Sequence, residues 1–184
     1  MKFIRTRIPD VFTIEPTVHG DDRGYFMESF RQDLLDDFLG HSIHFIQDNE
    51  SSSQRGVLRG LHYQLSPAAQ TKLVRVISGR VLDVAVDIRK NSPTFGQHVA
   101  VELSAANKKQ LFVPQGFAHG FVVLDDNTVF GYKVDNLYSP SHDRGIAFND
   151  PSLAIDWQLA EEDLLLSAKD QQQPLLNDAE TFED

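Results

Sequence analysis

The chain has 184 residues, enough for one domain with a substantial core, and its 41 % hydrophobic and 24 % charged residues are ordinary for a globular protein. Its 17 Lys and Arg against 27 Asp and Glu give a net charge of −10, which opposes binding to nucleic acid or anionic membranes. With no cysteine, disulfide scaffolds, thiolate metal sites and cysteine nucleophiles are excluded. Met1–Arg7 turns polar before a signal-peptide core can form, and no apolar run approaches the roughly 20 residues that span a bilayer, so a cytoplasmic location is expected.

In chain order, Lys2–Arg7 and Val11–Glu15 are expected strands, free to pair with a neighbouring subunit and cover an exposed edge. His19–Phe30 places Arg23 among aromatic rings. Its guanidinium fork suits a diphosphate and a nearby Phe can stack on a base, although the same stretch also fits a plain turn and amphipathic strand. Arg31–Leu39 is the expected helix, with Leu34, Leu35 and Phe38 on one face and Gly40 as its stop. Alternating or β-branched runs then mark strands at Thr71–Ile77, Arg80–Ile88, Gln97–Leu103, Gln110–Val113, Gly120–Leu124 and Thr128–Val134. Ser78-Gly79 and Asp125-Asp126-Asn127 are hairpin turns between them. Glu161–Ala168 is a second, short helical stretch. Many short, evenly spaced strands imply an all-β barrel or sandwich in one domain, residues 1–184. In the acidic tail 171–184, the part through Leu176 is expected to dock and the rest to be loosely held.

Within Arg59-Gly60-Leu61-His62-Tyr63-Gln64, strand alternation sends Arg59 and His62 to opposite faces, unless Gly60 supplies a bulge that re-aims one of them. His62 fits a satisfied core histidine as well as a site residue. Lys72 shares a strand face with Val74 and Val76 and either snorkels to water or meets an anion or polar cavity. Tyr132, alternating with Phe130 and Val134, fits a core or interface position as well as a site. Pro114-x-Gly116-x-x-His119-x-Phe121 resembles the second motif of cupin barrels. The first motif's place holds His62-Tyr63-Gln64, without the second histidine, and no glutamate follows at cupin spacing, so neither a metal nor another cofactor is expected. His19, His41, His44, His98 and His142 are expected to be surface or loop residues.

Ordered matches along nearly the whole chain resemble the dTDP-4-dehydrorhamnose 3,5-epimerase family. They include Asp22-Arg23-Gly24-x-Phe26-x-Glu28, Gln47-Asp48-Asn49-x-Ser51, Gly56–Gln64, Lys72–Val76, Gly79-x-Val81-x-Asp83, Ser92–Gly96, Pro114–Phe121, Tyr132-Lys133, Arg144-Gly145-Ile146 and Leu166-Ser167-x-Lys169-Asp170. The resemblance implies a cupin-like double-stranded β-helix, a jelly-roll barrel with a few short helices, acting as a metal-free homodimer. It implies His62 as general base backed by Asp170, Tyr132 as general acid, and Lys72 near the ketone oxygen. Substrate contacts would fall on Arg23, Phe26, Glu28, Gln47, Asp48, Asn49, Arg59, His119, Tyr138 and Lys169. Asp143 stands where the family usually has Glu, making that contact one methylene shorter.

The implied substrate is a dTDP-linked 4-keto-6-deoxy sugar, inverted at C3 and C5. A member inverting only one carbon, a metal-dependent cupin oxygenase or isomerase, and a non-catalytic nucleotide-sugar-binding barrel are the alternatives. The chemistry is consistent with the parts. Imidazole, with an ordinary pKa of about 6.5, is a competent base near neutrality, and phenol, at about 10, holds a proton to donate.

Overall fold

A computed structural model describes residues 1–183, so Asp184, the end of the expected tail, lies outside the described residues. The strands are β1 (Lys2–Arg5), β2 (Phe12–Glu15), β3 (Val18–Asp21), β4 (Gly24–Met27), β5 (Gln47–Ser53), β6 (Leu58–Gln64) and β7 (Lys72–Ser78). They continue with β8 (Arg80–Asp87), β9 (His98–Ser104), β10 (Gln110–Val113), β11 (Phe117–Val123), β12 (Thr128–Val134) and β13 (Asp143–Gly145). A six-stranded sheet, ordered β1-β2-β10-β7-β12-β5, faces a five-stranded sheet, β13-β6-β11-β8-β9, in a cupin-like jelly roll. Val74, Val76, Leu111 and Phe130 from the first sheet meet Val81, Ala85, Phe121 and Val123 from the second in one buried cluster. Among the described residues, no helix is long and apolar enough to cross a membrane.

Both sheets are also covered on their outer faces, which explains why β8 is apolar almost throughout rather than alternating. Its Leu82, Val84 and Val86 pack outward against Ile146, Phe148, Trp157 and Leu176 of the C-terminal segment. On the other side, helix α1 (Gln32–Leu39) lays Leu35 and Phe38 over Phe12, whose ring stacks on Phe112 with centroids 4.5 Å apart. Gly40 ends the helix in the left-handed region (φ 76°), its N–H donating to the Asp36 carbonyl. β1 and β2, expected to be free for a neighbouring subunit, are joined to this sheet through β2–β10 pairing within the chain.

Two expectations change. Of the helical stretch Glu161–Ala168, only Glu161–Asp163 forms a 3-10 turn. The following residues run extended, because Leu165 exchanges main-chain hydrogen bonds with Gly56 and Leu58, and these bonds replace helical ones. The tail expected to be loose beyond Leu176 instead lies along the barrel. Phe182 bridges Arg89, the Tyr63 hydroxyl donates to the Glu180 carbonyl, and Glu180 and Glu183 pair with Arg144 and Lys90.

The bulge at Gly60 is the local feature that shapes the interior. Opposite β11, His62 aligns with His119 and Arg59 with Phe121, so three steps along β6 match two along β11. The extra residue cancels the odd spacing, and Arg59 and His62 line the same cavity. Gly60 allows it: φ is +145°, and a Cβ there would lie 2.5 Å from the Gly120 Cα. Gly60→Ala is expected to cost about 3 kcal/mol of stability, from backbone strain plus overpacking, as measured by urea unfolding. A loss below about 0.5 kcal/mol, normal for a surface substitution, would contradict this reading of the bulge.

Candidate active site

Residues from both sheets line a cavity of about 560 Å³. β6 contributes Arg59 and His62, β7 Lys72, β11 His119 and β12 Tyr132, and the C-terminal segment adds Ser167 and Asp170. His62 Nε2 lies 2.5 Å from Asp170 Oδ1. The carboxylate accepts Nε2–H in this arrangement, which leaves Nδ1 as the basic nitrogen. Asp170 is buried at the start of a 3-10 turn, where the Ser167 hydroxyl donates to Oδ2 at 2.9 Å and accepts the Asp170 N–H. Burial pushes the Asp170 carboxyl up, but the hydrogen bonds from His62 and Ser167 outweigh it and hold it below the usual range.

Lys72 sits at the inner end of β7, its Nζ 3.4 Å from the His62 carbonyl. Burial lowers its pKa to about 8, against the opposing fields of Asp83 and Asp143. It therefore remains largely an ammonium at neutral pH. Tyr132 is half-buried and pairs across the sheet with Val74 and Asn49. Burial raises its hydroxyl, partly countered by Arg59, so the phenol keeps its proton.

The other expected contacts separate into groups. Gln47 and Asn49 are joined by a 2.7 Å hydrogen bond, Asn49 lines the cavity, and Arg59 reaches Ser53 Oγ at 3.3 Å. Buried His119 places Nε2 2.9 Å from Asp83 Oδ1. Asp48 is set apart, since alternation along β5 turns it outward to Lys133 Nζ, 2.9 Å away. Asp143 gathers the Tyr138 hydroxyl, 3.0 Å away, and the Lys169 ammonium.

Arg23, Phe26 and Glu28 are not brought to the cavity. Arg23 and Phe26 belong to the β3–β4 hairpin, a separate two-stranded sheet, and Glu28 follows directly after it. Within one chain Arg23 pairs with Asp21 and Glu28 with Arg31, while Phe26 is 69 % exposed.

Two polar groups that bond to the cavity's histidine and aspartate had no role assigned from sequence, Asp83 behind His119 and Ser167 beside Asp170. A single acid inside the apolar run of β8 was the available signal for Asp83. Ser167 carried none beyond its place three residues before Asp170. None of the other five histidines lines this cavity. Among the described residues no three His, Asp or Glu side chains gather as a metal-ligand group.

A jelly-roll barrel with a carboxylate-bonded imidazole, a protonated phenol and a half-buried ammonium around one cavity defines a cupin-type protein equipped for proton transfer. Comparison with known proteins narrows the class. The dTDP-4-dehydrorhamnose 3,5-epimerase family model matches residues 5–178. A protein of that name from Shigella flexneri is 54 % identical over 182 residues, 99 % of both chains. A crystal structure of dTDP-4-dehydrorhamnose 3,5-epimerase from Elizabethkingia anophelis superposes with a TM-score of 0.93, at 51 % identity over 97 % of each chain. The Legionella pneumophila dTDP-6-deoxy-D-glucose-3,5-epimerase, crystallised with dTDP-4-keto-L-rhamnose, gives 0.92 at 52 % identity, covering 96 % of this chain and 93 % of that one. The chain belongs to the dTDP-4-dehydrorhamnose 3,5-epimerase family.

The burial of Lys72 has a measurable consequence. Its folded pKa of about 8 lies below the ordinary 10.5, so between these values the unfolded chain holds more protons, and stability rises with pH. Lys72→Met removes that contribution. The stability of the parent protein relative to Lys72→Met should therefore increase from pH 8 to 10.5 in urea unfolding. A difference independent of pH would contradict the buried ammonium.

Proposed function

We propose that the protein inverts C3 and C5 of dTDP-4-dehydro-6-deoxy-D-glucose, giving dTDP-4-dehydro-L-rhamnose, by proton removal and return beside the C4 ketone. The observation that carries this reading is the His62–Asp170 contact facing the cavity that Tyr132 and Lys72 also line. The names and the bound keto-sugar of the relatives support the same substrate class.

In this reading His62 Nδ1 takes the proton from the carbon beside the ketone, and the bonding electrons move onto the C4 oxygen. Asp170 stabilises the imidazolium as it forms. Lys72 holds its ammonium against the developing enolate oxygen, a contribution of about 3 kcal/mol in comparable sites. Tyr132 returns a proton to the opposite face of the carbon, and the electrons flow back to restore the ketone. Once His62 has released its proton to solvent and Tyr132 has regained one from it, a second enolisation at the other carbon completes the inversion. General acid–base assistance supplies roughly 10²- to 10⁴-fold, so the base and the enolate stabiliser carry most of the rate. Arg59, His119, Gln47 and Asn49 are the cavity groups suited to the diphosphate and sugar. Tyr138, Asp143 and Lys169 form a neighbouring group suited to the nucleotide end.

The working unit in this reading is a homodimer. A separate arm with Tyr25 58 % and Phe26 69 % exposed is poorly accounted for in a lone chain. Seated on a second copy, it would bring Arg23, Phe26 and Glu28 to a site that their own cavity does not offer. A water-soluble nucleotide sugar as substrate fits the cytoplasmic location expected from the sequence.

Turnover of the keto-sugar nucleotide in heavy water, followed by NMR, tests the proposal. Deuterium should appear at both C3 and C5, whereas label at one carbon favours a single-carbon epimerase and label at neither rejects the reaction. His62→Ala should lose at least about 10²-fold of exchange at both carbons, with dTDP affinity within a few-fold of the parent. Tyr132→Phe should slow proton return more than removal, so that exchange outruns product formation. Near-normal turnover in His62→Ala would remove the base from the mechanism.

A further inference from the structure

Strand β8 turns Asp83 into the middle of the barrel, while Asp87 at its end pairs with Arg89. Asp83 lies between Val81 and Ala85 on that face and is 0 % exposed. Across the sheet it aligns with Phe121, whose ring stacks on Phe130 at 4.0 Å, so its surroundings are largely apolar. Oδ1 faces His119 Nε2 at 2.9 Å, but Oδ2 has no hydrogen-bond partner among the described residues. A carboxylate held in this way is costly unless a cation compensates it.

Lys72 has the complementary deficit. Its ammonium has three protons to donate, and its one hydrogen bond among the described residues is the 3.4 Å contact with the His62 carbonyl. The charged and titratable groups around it come from several elements. β6 offers Arg59 and His62, β11 His119, β12 Tyr132 and β5 Glu50, while β10 has no titratable residue. Glu102 of β9 is turned outward to Arg80. Among the acids, Asp170 is engaged by His62 and Ser167, and Asp143 by Tyr138 and Lys169. Asp83 keeps an oxygen free in the interior.

We propose that Asp83 is a positioning residue for the reaction, the buried counter-charge that keeps Lys72 an ammonium aimed at the substrate's carbonyl oxygen while fixing the His119 ring beside it. The inference rests on the role given to Lys72 above and adds the group that makes this role possible at neutral pH. Burial drives Lys72 down, and Asp83 is the first of the two carboxylates opposing that fall, ahead of Asp143. Without Asp83 the lysine would shed its proton nearer neutrality and present a neutral amine to the enolate.

Asp83→Asn preserves shape and an acceptor for His119 while removing the charge. The alkaline limb of its kcat profile should move about one pH unit lower, so that kcat falls about threefold at pH 7.5 and close to tenfold above pH 9, with KM within about threefold. A uniform loss across pH, with the limb unmoved, would mark a merely structural residue and overturn the proposal.

Direct titration separates this from the reaction itself. In protein carrying 13Cε-lysine, the NMR signal missing from Lys72→Met should titrate near 8 in the parent and about one unit lower in Asp83→Asn. An unchanged titration overturns the proposal even if the enzyme is active. Absence of turnover in the parent would reject the epimerase reading while this titration still decided the role of Asp83. Should Asp83→Asn not fold, the neutral pair Lys72→Met/Asp83→Asn should fold and melt above either single variant, because both charges leave together. A double variant no more stable than the singles contradicts the pairing.

Discussion

His62 and Asp170 meet across 108 residues of chain, and much of the architecture holds that contact in place. The bulge at Gly60 brings His62 into the cavity. The acid arrives from the other side of the five-stranded sheet, on a segment secured by Trp157 and Leu176 in the outer cluster and by Pro174–Ala147 main-chain pairing. Leu176 N–H also donates to Asp150 Oδ2, which ties the residues after Asp170 to the turn before Trp157. The C-terminal quarter of the chain is thus the element that carries the second half of the proton-transfer pair.

Around that contact the interior balances charge by burial and pairing. The protein as a whole is strongly acidic, at −10, yet its cavity places the Arg59 guanidinium and the Lys72 ammonium beside two imidazoles, with Asp170 bonded to His62. Two cations at one site within an acidic exterior suit one anionic, phosphorylated small molecule and disfavour polyanions. The same burial acts in opposite senses on the two groups: it keeps the Tyr132 phenol protonated but weakens Lys72 as a cation, a loss that Asp83 and Asp143 oppose.

Much of this was legible in the residues. Alternating or β-branched runs located β10 and β12 to the residue and the central strands to within a few, because each strand packs at least one face on an apolar core. The possible bulge at Gly60 could be read because a glycine separated two polar residues of mismatched parity. Less visible were features made by long-range packing. The tail is polar and acidic, and composition alone says nothing of the Arg144, Lys90 and Tyr63 side chains waiting for it. Leu164–Leu166 has helical-looking neighbours but pairs with Gly56 and Leu58, a partner choice that local propensity cannot reveal. The pairing of Arg23 with Asp21 and of Glu28 with Arg31, and the exposure of Phe26, all away from the cavity, follow from the hairpin being its own sheet.

The most direct test of the central claim is the rate of solvent-deuterium exchange into the keto-sugar by Asp170→Asn, measured in a single turnover. The substitution keeps the size of the side chain but withdraws the carboxylate that sets the imidazole tautomer and stabilises its protonated form. The account predicts a fall of about 10²- to 10⁴-fold at unchanged dTDP affinity. Exchange within a few-fold of the parent would show that His62 needs no carboxylate behind it, contradicting the account.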